Sequence, residues 1–279
     1  MAAKMIMRFP EGKSLALTLS YDDGVEQDTR LIEILDKHGI KATFNLNSGK
    51  YAPEGKVYAE GTIHRPLSKD AATKLYSNPN HEVAVHSLTH PWLEKMLDGN
   101  VAYEIIKDRE NLEAQFGGIV RGMAYPYGTY NDNVVEVLRA CGIVYSRTTV
   151  STKKFDIPTD WLRMPATCHH NDPQLMALAE KFVSDKVSRD PRLFYLWGHS
   201  YEFESNDNWN VIEEFAEYMG NRDNVWYATN IEIYEYVEAF RKLVSSADGN
   251  TLYNPSAFTL WYYRSGEVYS IAPGETKSL

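Results

Sequence analysis

Two hydrophobic patterns alternate along the chain. Residues 14–20 have apolar side chains at every second position, which predicts a β-strand, whereas residues 28–38 carry Leu31, Ile32 and Leu35 in the stripe of an amphipathic helix. The first pattern recurs and predicts further strands over residues 41–46, 82–86, 119–125, 143–148, 193–197 and 225–228. The second predicts further helices over residues 68–76, 100–116, 131–140, 173–186, 209–219 and 230–244. Seven strands that alternate with helices indicate an α/β fold with a parallel sheet, and the number favours an irregular barrel over an open sheet.

The last thirty residues have a different character. Short apolar runs over residues 258–263 and 268–271 flank Ser265 and Gly266, which predicts a β-hairpin. We therefore divide the chain into a catalytic barrel of residues 1–248 and a small C-terminal hairpin extension of residues 249–279.

Composition and charge narrow the class of protein. The chain has 279 residues, 43% of them hydrophobic, and a net charge of −9. An acidic chain without clustered Lys and Arg is not expected to bind nucleic acid, and the sequence contains no apolar run long enough to span a membrane. With two cysteines a disulfide framework is not expected. No secretory signal pattern is visible, so we expect a cytoplasmic protein. The sequence does not indicate an oligomeric state.

The first candidate chemistry is a pair of histidines. His86 ends the strand predicted over residues 82–86, and His90 follows four positions later. A helical turn there would bring both imidazoles to one ion, and imidazole is a common zinc ligand. The spacing alone is equally compatible with one core histidine and one solvated histidine.

Two adjacent carboxylates supply the missing ligand. Asp22 and Asp23 end the first predicted strand, and active sites collect at the carboxyl ends of parallel strands. An isolated Asp-Asp-Gly sequence is usually a turn, but here the histidine pair is expected on the same rim. Asp23, His86 and His90 then form a site of two histidines and one carboxylate with open positions, as in catalytic metal centres.

Five short motifs occur in an order that resembles one family. They are Tyr-Asp-Asp-Gly at 21–24, His-Ser-Leu-Thr-His at 86–90, Tyr-Pro-Tyr-Gly at 125–128, Asp-Trp at 160–161 and Leu-Trp-Gly-His at 196–199. In this order they resemble the motifs of polysaccharide deacetylases, the NodB-homology enzymes of carbohydrate esterase family 4. The resemblance implies a distorted (β/α)7 barrel, a divalent metal, usually zinc, and removal of acetyl groups from a saccharide.

The resemblance also implies residue roles. Asp23, His86 and His90 would bind the metal, which is expected to be zinc although cobalt and nickel accept the same ligands. The implied general base is Asp22, the implied acid is His199, and Asp160 would orient the imidazole of that acid. The backbone N–H of Tyr127 would help to stabilise the oxyanion. Aromatic side chains near the motifs would contact the substrate or pack in the core, namely Tyr125, Tyr127, Trp161 and Trp197.

One position departs from the family pattern. The third motif of the family usually carries an arginine that braces the catalytic Asp, and Ala124 stands at that place here. Arg147 and Arg163 are the candidates to replace it. We favour Arg163 in the binding site because it directly follows the motif that contains Asp160.

Several alternatives remain open from sequence. The same fold also cleaves C–N bonds in small amides and cyclic ureides, so the substrate is an acetylated saccharide or a small amide. Two histidines and one carboxylate also hold iron in oxygenases, although the spare carboxylate of Asp22 suits water activation better. A catalytically silent glycan binder would not need both Asp22 and His199. Residues 168–170, Cys-His-His, are a candidate second metal site that lacks a spaced partner motif.

Overall fold

The computed structural model describes residues 5–184 and 190–279. Its strands are β1 (Ile6–Arg8), β2 (Leu15–Asp22), β3 (Ala42–Leu46), β4 (Glu82–Val85), β5 (Gly122–Ala124), β6 (Tyr145–Ser151), β7 (Met164–Ala166), β8 (Cys168–His169), β9 (Arg192–Gly198), β10 (Val225–Tyr227), β11 (Val244–Ser245), β12 (Thr251–Tyr253), β13 (Leu260–Arg264), β14 (Glu267–Ile271) and β15 (Thr276–Ser278). Its helices are α1 (Asp28–Lys37), α2 (Lys69–Tyr76), α3 (Asp98–Phe116), α4 (Asp132–Ala140), α5 (Leu175–Ser184), α6 (Tyr201–Ser205), α7 (Asn210–Met219) and α8 (Asn230–Arg241).

A parallel sheet in the order β7-β6-β5-β4-β3-β2-β9-β8 forms the centre of the molecule. Only Thr167 separates its two end strands, and this segment bonds to both neighbours. The N–H of Thr167 donates to the carbonyl of Tyr195 in β9, and the carbonyl of Thr167 accepts from Lys153 just after β6. The sheet therefore closes into a barrel of seven strand positions, one of which is formed by β7 and β8 together.

The predicted elements are largely confirmed, with one difference in the barrel. The stretch that closes the sheet, Met164–His169, was predicted to be irregular, and its two strands are too short to give a periodic signal. The strand predicted over residues 225–228 forms as β10, but it does not take a place between two barrel strands. It pairs with the first residues of β2, on the edge of β2 that pairs with β3 further along. The end of the helix predicted over residues 173–186 lies outside the described residues.

The C-terminal hairpin forms as predicted and acquires a partner. Arg264 pairs with Glu267 across a two-residue turn at Ser265 and Gly266, and both turn residues have positive φ, as such turns require. The strand β13 also pairs antiparallel with β1 near the start of the chain. Buried side chains of this sheet join the apolar cluster beneath the barrel that includes Ala16 of β2. The division at residue 248 stays a prediction.

Within the residues described, every helix is too short or too polar to cross a membrane.

Gly122 in β5 lies directly against a buried ring and generates a prediction about stability. A Cβ there would stand 2.2 Å from Cζ of Tyr145, which is fully buried and donates its hydroxyl to Glu82 Oε1 at 2.6 Å. Because the ring cannot move aside, we expect Gly122→Ala to lower the free energy of unfolding by about 1–3 kcal/mol. Urea denaturation measures this. Gly99→Ala in α3 is the matched control, because its Cβ meets nothing within 4 Å and the change should be neutral or slightly stabilising. Equal stability of the two variants would contradict the packing described.

Candidate metal-dependent active site

Two carboxylates leave the carboxyl end of β2 in different directions. Asp22 is the last residue of the strand and is almost completely buried, while Asp23 has a φ of 80° and turns its side chain to the rim. The N–H of Asp23 donates to the carbonyl of Asn45 at 3.0 Å, so the next barrel strand holds this turn. A left-handed conformation is costly for a residue other than glycine, and such conformations cluster at functional sites.

The two histidines meet through a strained turn and not through a helix. Ser87 has a φ of 64° and His90 a φ of 60°, and the N–H of His90 donates to Ser87 Oγ at 3.1 Å. This turn places the ring centroids of His86 and His90 4.8 Å apart. The helical turn considered from sequence is therefore wrong, although the imidazoles do converge.

Buried polar groups hold this turn against the barrel. Asp108 of α3 accepts from the N–H groups of Ser48 and His86, at 2.7 and 3.2 Å. Asn47 donates to the carbonyls of His86 and Ser87, and Glu104 accepts from the backbone and hydroxyl of Thr89 at 2.8 Å each. Side chains from α3 and from the end of β3 thus hold the backbone of the turn by hydrogen bonds without any ligand.

The donor set at this rim fits a divalent metal. Ligand atoms of Asp23, His86 and His90 all lie within 4.8 Å of one another, and both Nε2 atoms are 3.8 Å from Asp23 Oδ1. His86 Nδ1 lies 2.8 Å from the carbonyl of Ala124 and must donate to it, so Nε2 presents a lone pair. Burial lowers the pKa of His86, and burial together with the nearby His86 lowers that of His90 to about 4. Both imidazoles are neutral at pH 7, as metal ligands must be.

Arg147, and not Arg163, braces Asp22. Its guanidinium forms an ion pair with Asp22 Oδ2, and the other carboxylate oxygen accepts from Asn45 Nδ2 at 2.8 Å. Arg147 lies opposite Ala124 in the β5–β6 register, so it projects from the same face of the sheet as the position where the family has its arginine. Although burial would raise the pKa of Asp22, the Arg147 guanidinium and two imidazoles hold it below its ordinary value. The prediction for Arg163 is wrong, because Arg163 pairs with Asp132 and Asp160 at the surface.

His199 faces Asp22 but does not contact Asp160. His199 Nε2 lies 3.7 Å from Asp22 Oδ2, the same oxygen that His86 Nε2 approaches at 3.9 Å. Its Nδ1 lies 3.0 Å from Oε1 of Glu202, one turn further along α6. The carboxylate of Asp160 is half exposed and accepts instead from Arg163 and from the N–H of Leu162. The predicted contact between Asp160 and His199 is therefore wrong.

The four aromatic residues named from sequence separate into two groups. Tyr127 packs edge-on against His90, with 4.4 Å between centroids, and Trp197 lies beneath the Arg147 guanidinium at 4.4 Å. Tyr125 is buried and donates its hydroxyl to the carbonyl of Leu162, and Trp161 is buried and donates its indole N–H to Glu238. Tyr125 and Trp161 thus pack within the fold, and only Tyr127 and Trp197 border the site.

Sequence reasoning missed two residues at the site. Glu202 gives a weak signal, because it follows His199 by three positions at the start of a helix. His64 lies in the polar loop before α2, and its Nε2 approaches Asp23 Oδ2 at 3.3 Å. The ring of His64 also packs edge-on against Tyr201. No motif marks His64, since only the path of the loop brings it to the rim.

Comparison with known families agrees with this geometry. Residues 10–146 match the sequence model of the family described as polysaccharide deacetylase. The matched segment contains Asp22, Asp23, His86 and His90. The chain is therefore similar to the polysaccharide deacetylases over just under half of its length. His199 and Glu202 lie beyond the matched segment.

Curated relatives and solved structures carry the same family names. The chain is 26% identical to the peptidoglycan-N-acetylglucosamine deacetylase of Listeria monocytogenes over 68% of its own length and 38% of the relative. It is 25% identical to the chitooligosaccharide deacetylase of Azorhizobium caulinodans over 51% of its own length and 62% of the relative. The chain thus spans about two fifths to three fifths of these two relatives.

Two solved structures show the fold. A family 4 carbohydrate esterase from Streptomyces lividans in complex with acetate superposes with a TM-score of 0.51 and 17% identity, over 77% of this chain and 93% of that one. The Xyl-CE4 domain of a multidomain xylanase from the hindgut metagenome of Trinervitermes trinervoides gives a TM-score of 0.50 and 16% identity, over 81% and 92%. The predicted distorted barrel is thereby confirmed.

The ion pair between Arg147 and Asp22 yields a prediction about stability. Replacing Arg147 with Met leaves a buried carboxylate without its partner, which should lower the free energy of unfolding by about 3–5 kcal/mol at pH 7. Because the folded state depresses the pKa of Asp22, the lost stability exists above its unfolded pKa and disappears as pH falls through its folded pKa. The deficit should therefore shrink on acidification. Denaturant titration of metal-free protein at several pH values measures it.

Arg163→Met serves as the matched control, because the half-exposed pairs of Arg163 should contribute at most about 1 kcal/mol. A larger loss in the Arg163 variant than in the Arg147 variant would contradict the assignment.

Proposed function

We propose that this chain is a metal-dependent hydrolase that removes N-acetyl groups from a saccharide. One observation carries the proposal above all. Oδ2 of the buried Asp22 carboxylate lies near a predicted metal ligand and a second imidazole, 3.9 Å from His86 Nε2 and 3.7 Å from His199 Nε2. A base close to both a metal site and an acid is the arrangement that amide hydrolysis by activated water needs.

Asp23, His86 and His90 would hold the divalent ion, with zinc the first expectation. A bound ion of this kind supplies a Lewis acid, which polarises the acyl oxygen and lowers the pKa of water from about 15.7 toward about 7. Three protein ligands leave positions open for substrate, which distinguishes this site from a closed structural one.

Asp22 would act as the general base. Its ion pair with Arg147 and its hydrogen bond from Asn45 keep the carboxylate ionised and hold it in one orientation. An ionised carboxylate can accept a proton from the attacking water at the oxygen that faces the two imidazoles.

His199 would act as the general acid. Burial on its own would lower the pKa of His199, but Glu202 and the charges of Asp22 and Asp23 raise it above its ordinary value. This shift favours the imidazolium, whose Nε2 can give its proton to the leaving amine nitrogen.

The turn at 126–128 would complete the site. Tyr127 has a φ of 58°, and its ring lies between His90 and the ring of Trp92, which stacks on it with centroids 4.1 Å apart. This packing holds the backbone of Tyr127 beside the metal ligands, where its N–H would stabilise the oxyanion. The exposed faces of both rings offer apolar area to a sugar. The names of the two deacetylase relatives support an N-acetylated saccharide as substrate.

Acetate release tests the proposal. Protein stripped with a chelator and reloaded with zinc or cobalt should release acetate from N-acetylglucosamine oligomers, and the chelated protein should not. Asp22→Asn removes the base but none of the three ligands, so it should bind metal normally and lose at least about 10²-fold in kcat. Asp132→Asn, at an exposed carboxylate that starts α4, is the control and should retain activity.

Two outcomes would contradict the proposal. Full activity in Asp22→Asn would remove the base from the mechanism. The protein could also bind metal, release no acetate from any acetylated sugar, and hydrolyse small amides or cyclic ureides. That result would identify a small amide, and not a saccharide, as the substrate.

A further inference from the structure

A cluster of three histidines surrounds the carboxylate of Glu202. His199 Nδ1 lies 3.0 Å from Oε1, while His169 Nε2 and His170 Nε2 lie 3.2 and 2.9 Å from Oε2. Asn171 Nδ2 donates to Oε2 at 3.1 Å. Both oxygens of Glu202 are thereby occupied, one by the proposed acid and the other by the segment that closes the barrel.

We propose that Glu202 is the positioning residue of His199, in the role that the family resemblance gives to Asp160. This inference rests on the proposed function, because His199 matters as the acid of that reaction. When Nδ1 donates to Glu202, the neutral imidazole has its lone pair on Nε2, which faces Asp22. The carboxylate also supports the charge of the imidazolium, so one contact sets both the tautomer and the proton affinity.

The surroundings keep Glu202 in one place. His170 is fully buried and stacks on the ring of Phe203, with centroids 4.1 Å apart, and on Tyr21 at 5.8 Å. Gly198 allows this packing, because a Cβ there would stand 2.0 Å from His170 Nδ1. The helix α6 that carries Glu202 is itself anchored, since Ser200 Oγ donates to the buried carboxylate of Asp28 at 2.5 Å. The position of Glu202 therefore depends on the barrel and not on a mobile side chain.

His169, His170 and Glu202 have the composition of a second metal site, but the hydrogen bonding of His169 argues against one. His169 Nδ1 accepts from the N–H of Asn171 at 3.1 Å, so the hydrogen of the neutral ring is on Nε2. That Nε2 is the atom that faces Glu202, where it donates and offers no lone pair to an ion. The cluster is an acceptor carboxylate with imidazole donors, which also explains why the pKa of Glu202 is held well below its usual range despite burial.

Nitrogen-15 NMR of histidine-labelled, metal-free protein tests the geometry without any substrate. The signal of His199, assigned by its loss in His199→Gln, should show hydrogen on Nδ1 in the neutral ring. Hydrogen on Nε2 would overturn the proposal. In Glu202→Leu, which removes the acceptor, the preference for Nδ1–H should disappear.

Kinetics on the active enzyme test whether the negative charge of Glu202 supports the imidazolium of His199. Glu202→Gln keeps an acceptor oxygen but removes the negative charge, so the pKa of His199 should fall and the basic limb of the kcat profile should move down by about one pH unit or more. Glu202→Leu should lower kcat at least about tenfold with little change in KM, because both oxygens of Glu202 are already occupied by partners within the protein. Other titratable groups that face His199 stay in place in these variants, namely Asp22, Asp23, His169 and Tyr201.

Asp160→Asn is the rival variant measured beside them. A basic limb that moves in Asp160→Asn and stays in Glu202→Gln would overturn the proposal. If no acetylated sugar is hydrolysed, the proposed function fails, but the tautomer of His199 still decides the role of Glu202. The two failures are therefore distinguishable.

Discussion

The site is organised around one buried ion pair, between Asp22 and Arg147. Both side chains are almost completely excluded from solvent, and an ionised carboxylate in such a place is costly unless a cation meets it. The pair in turn constrains its neighbours. Trp197 covers one face of the guanidinium, and Asn45 occupies the second oxygen of the carboxylate. His86 and His199 then approach one oxygen of this carboxylate, at 3.9 and 3.7 Å, and its orientation is set by the fold.

The barrel brings these groups together through strand order. Asp22 and Asp23 follow β2, His86 follows β4, Arg147 lies in β6 and His199 follows β9, so one rim of a parallel sheet collects residues far apart in sequence. Tight turns after these strands then orient the side chains toward the site. Four of the nine residues other than glycine with positive φ in the described part of the chain border the site, namely Asp23, Ser87, His90 and Tyr127. Backbone strain is concentrated where side chains must be aimed.

Elements and residues that leave a periodic or local pattern in the sequence are predicted correctly. Contacts that depend on the register between strands are not. The alternation of apolar residues predicts most strands and helices, and the ends of strands predict that Asp23, His86 and His90 converge. The motif before Arg163 favours that residue as the partner of Asp22, whereas Arg147 comes to lie beside Ala124 through the pairing of β5 with β6, which no motif marks. Glu202, and not Asp160, lies beside His199. The helix α6 begins soon after β9, and its first turn brings the side chain of Glu202, three positions after His199, back to the imidazole. The closing strands β7 and β8 and the pairing of β1 with β13 depend on long-range contacts that no local pattern encodes.

X-ray absorption at the zinc edge of reconstituted protein measures the ligands of the proposed metal site. We expect one zinc per chain, bound by two imidazoles with the remaining ligands oxygen, at about 2.0–2.2 Å. The same spectrum should persist in His169→Gln and be lost in His86→Gln, because only the second variant removes a proposed ligand. A second zinc that depends on His169, or a single zinc that survives the loss of His86 unchanged, would show that Asp23, His86 and His90 are not the metal site.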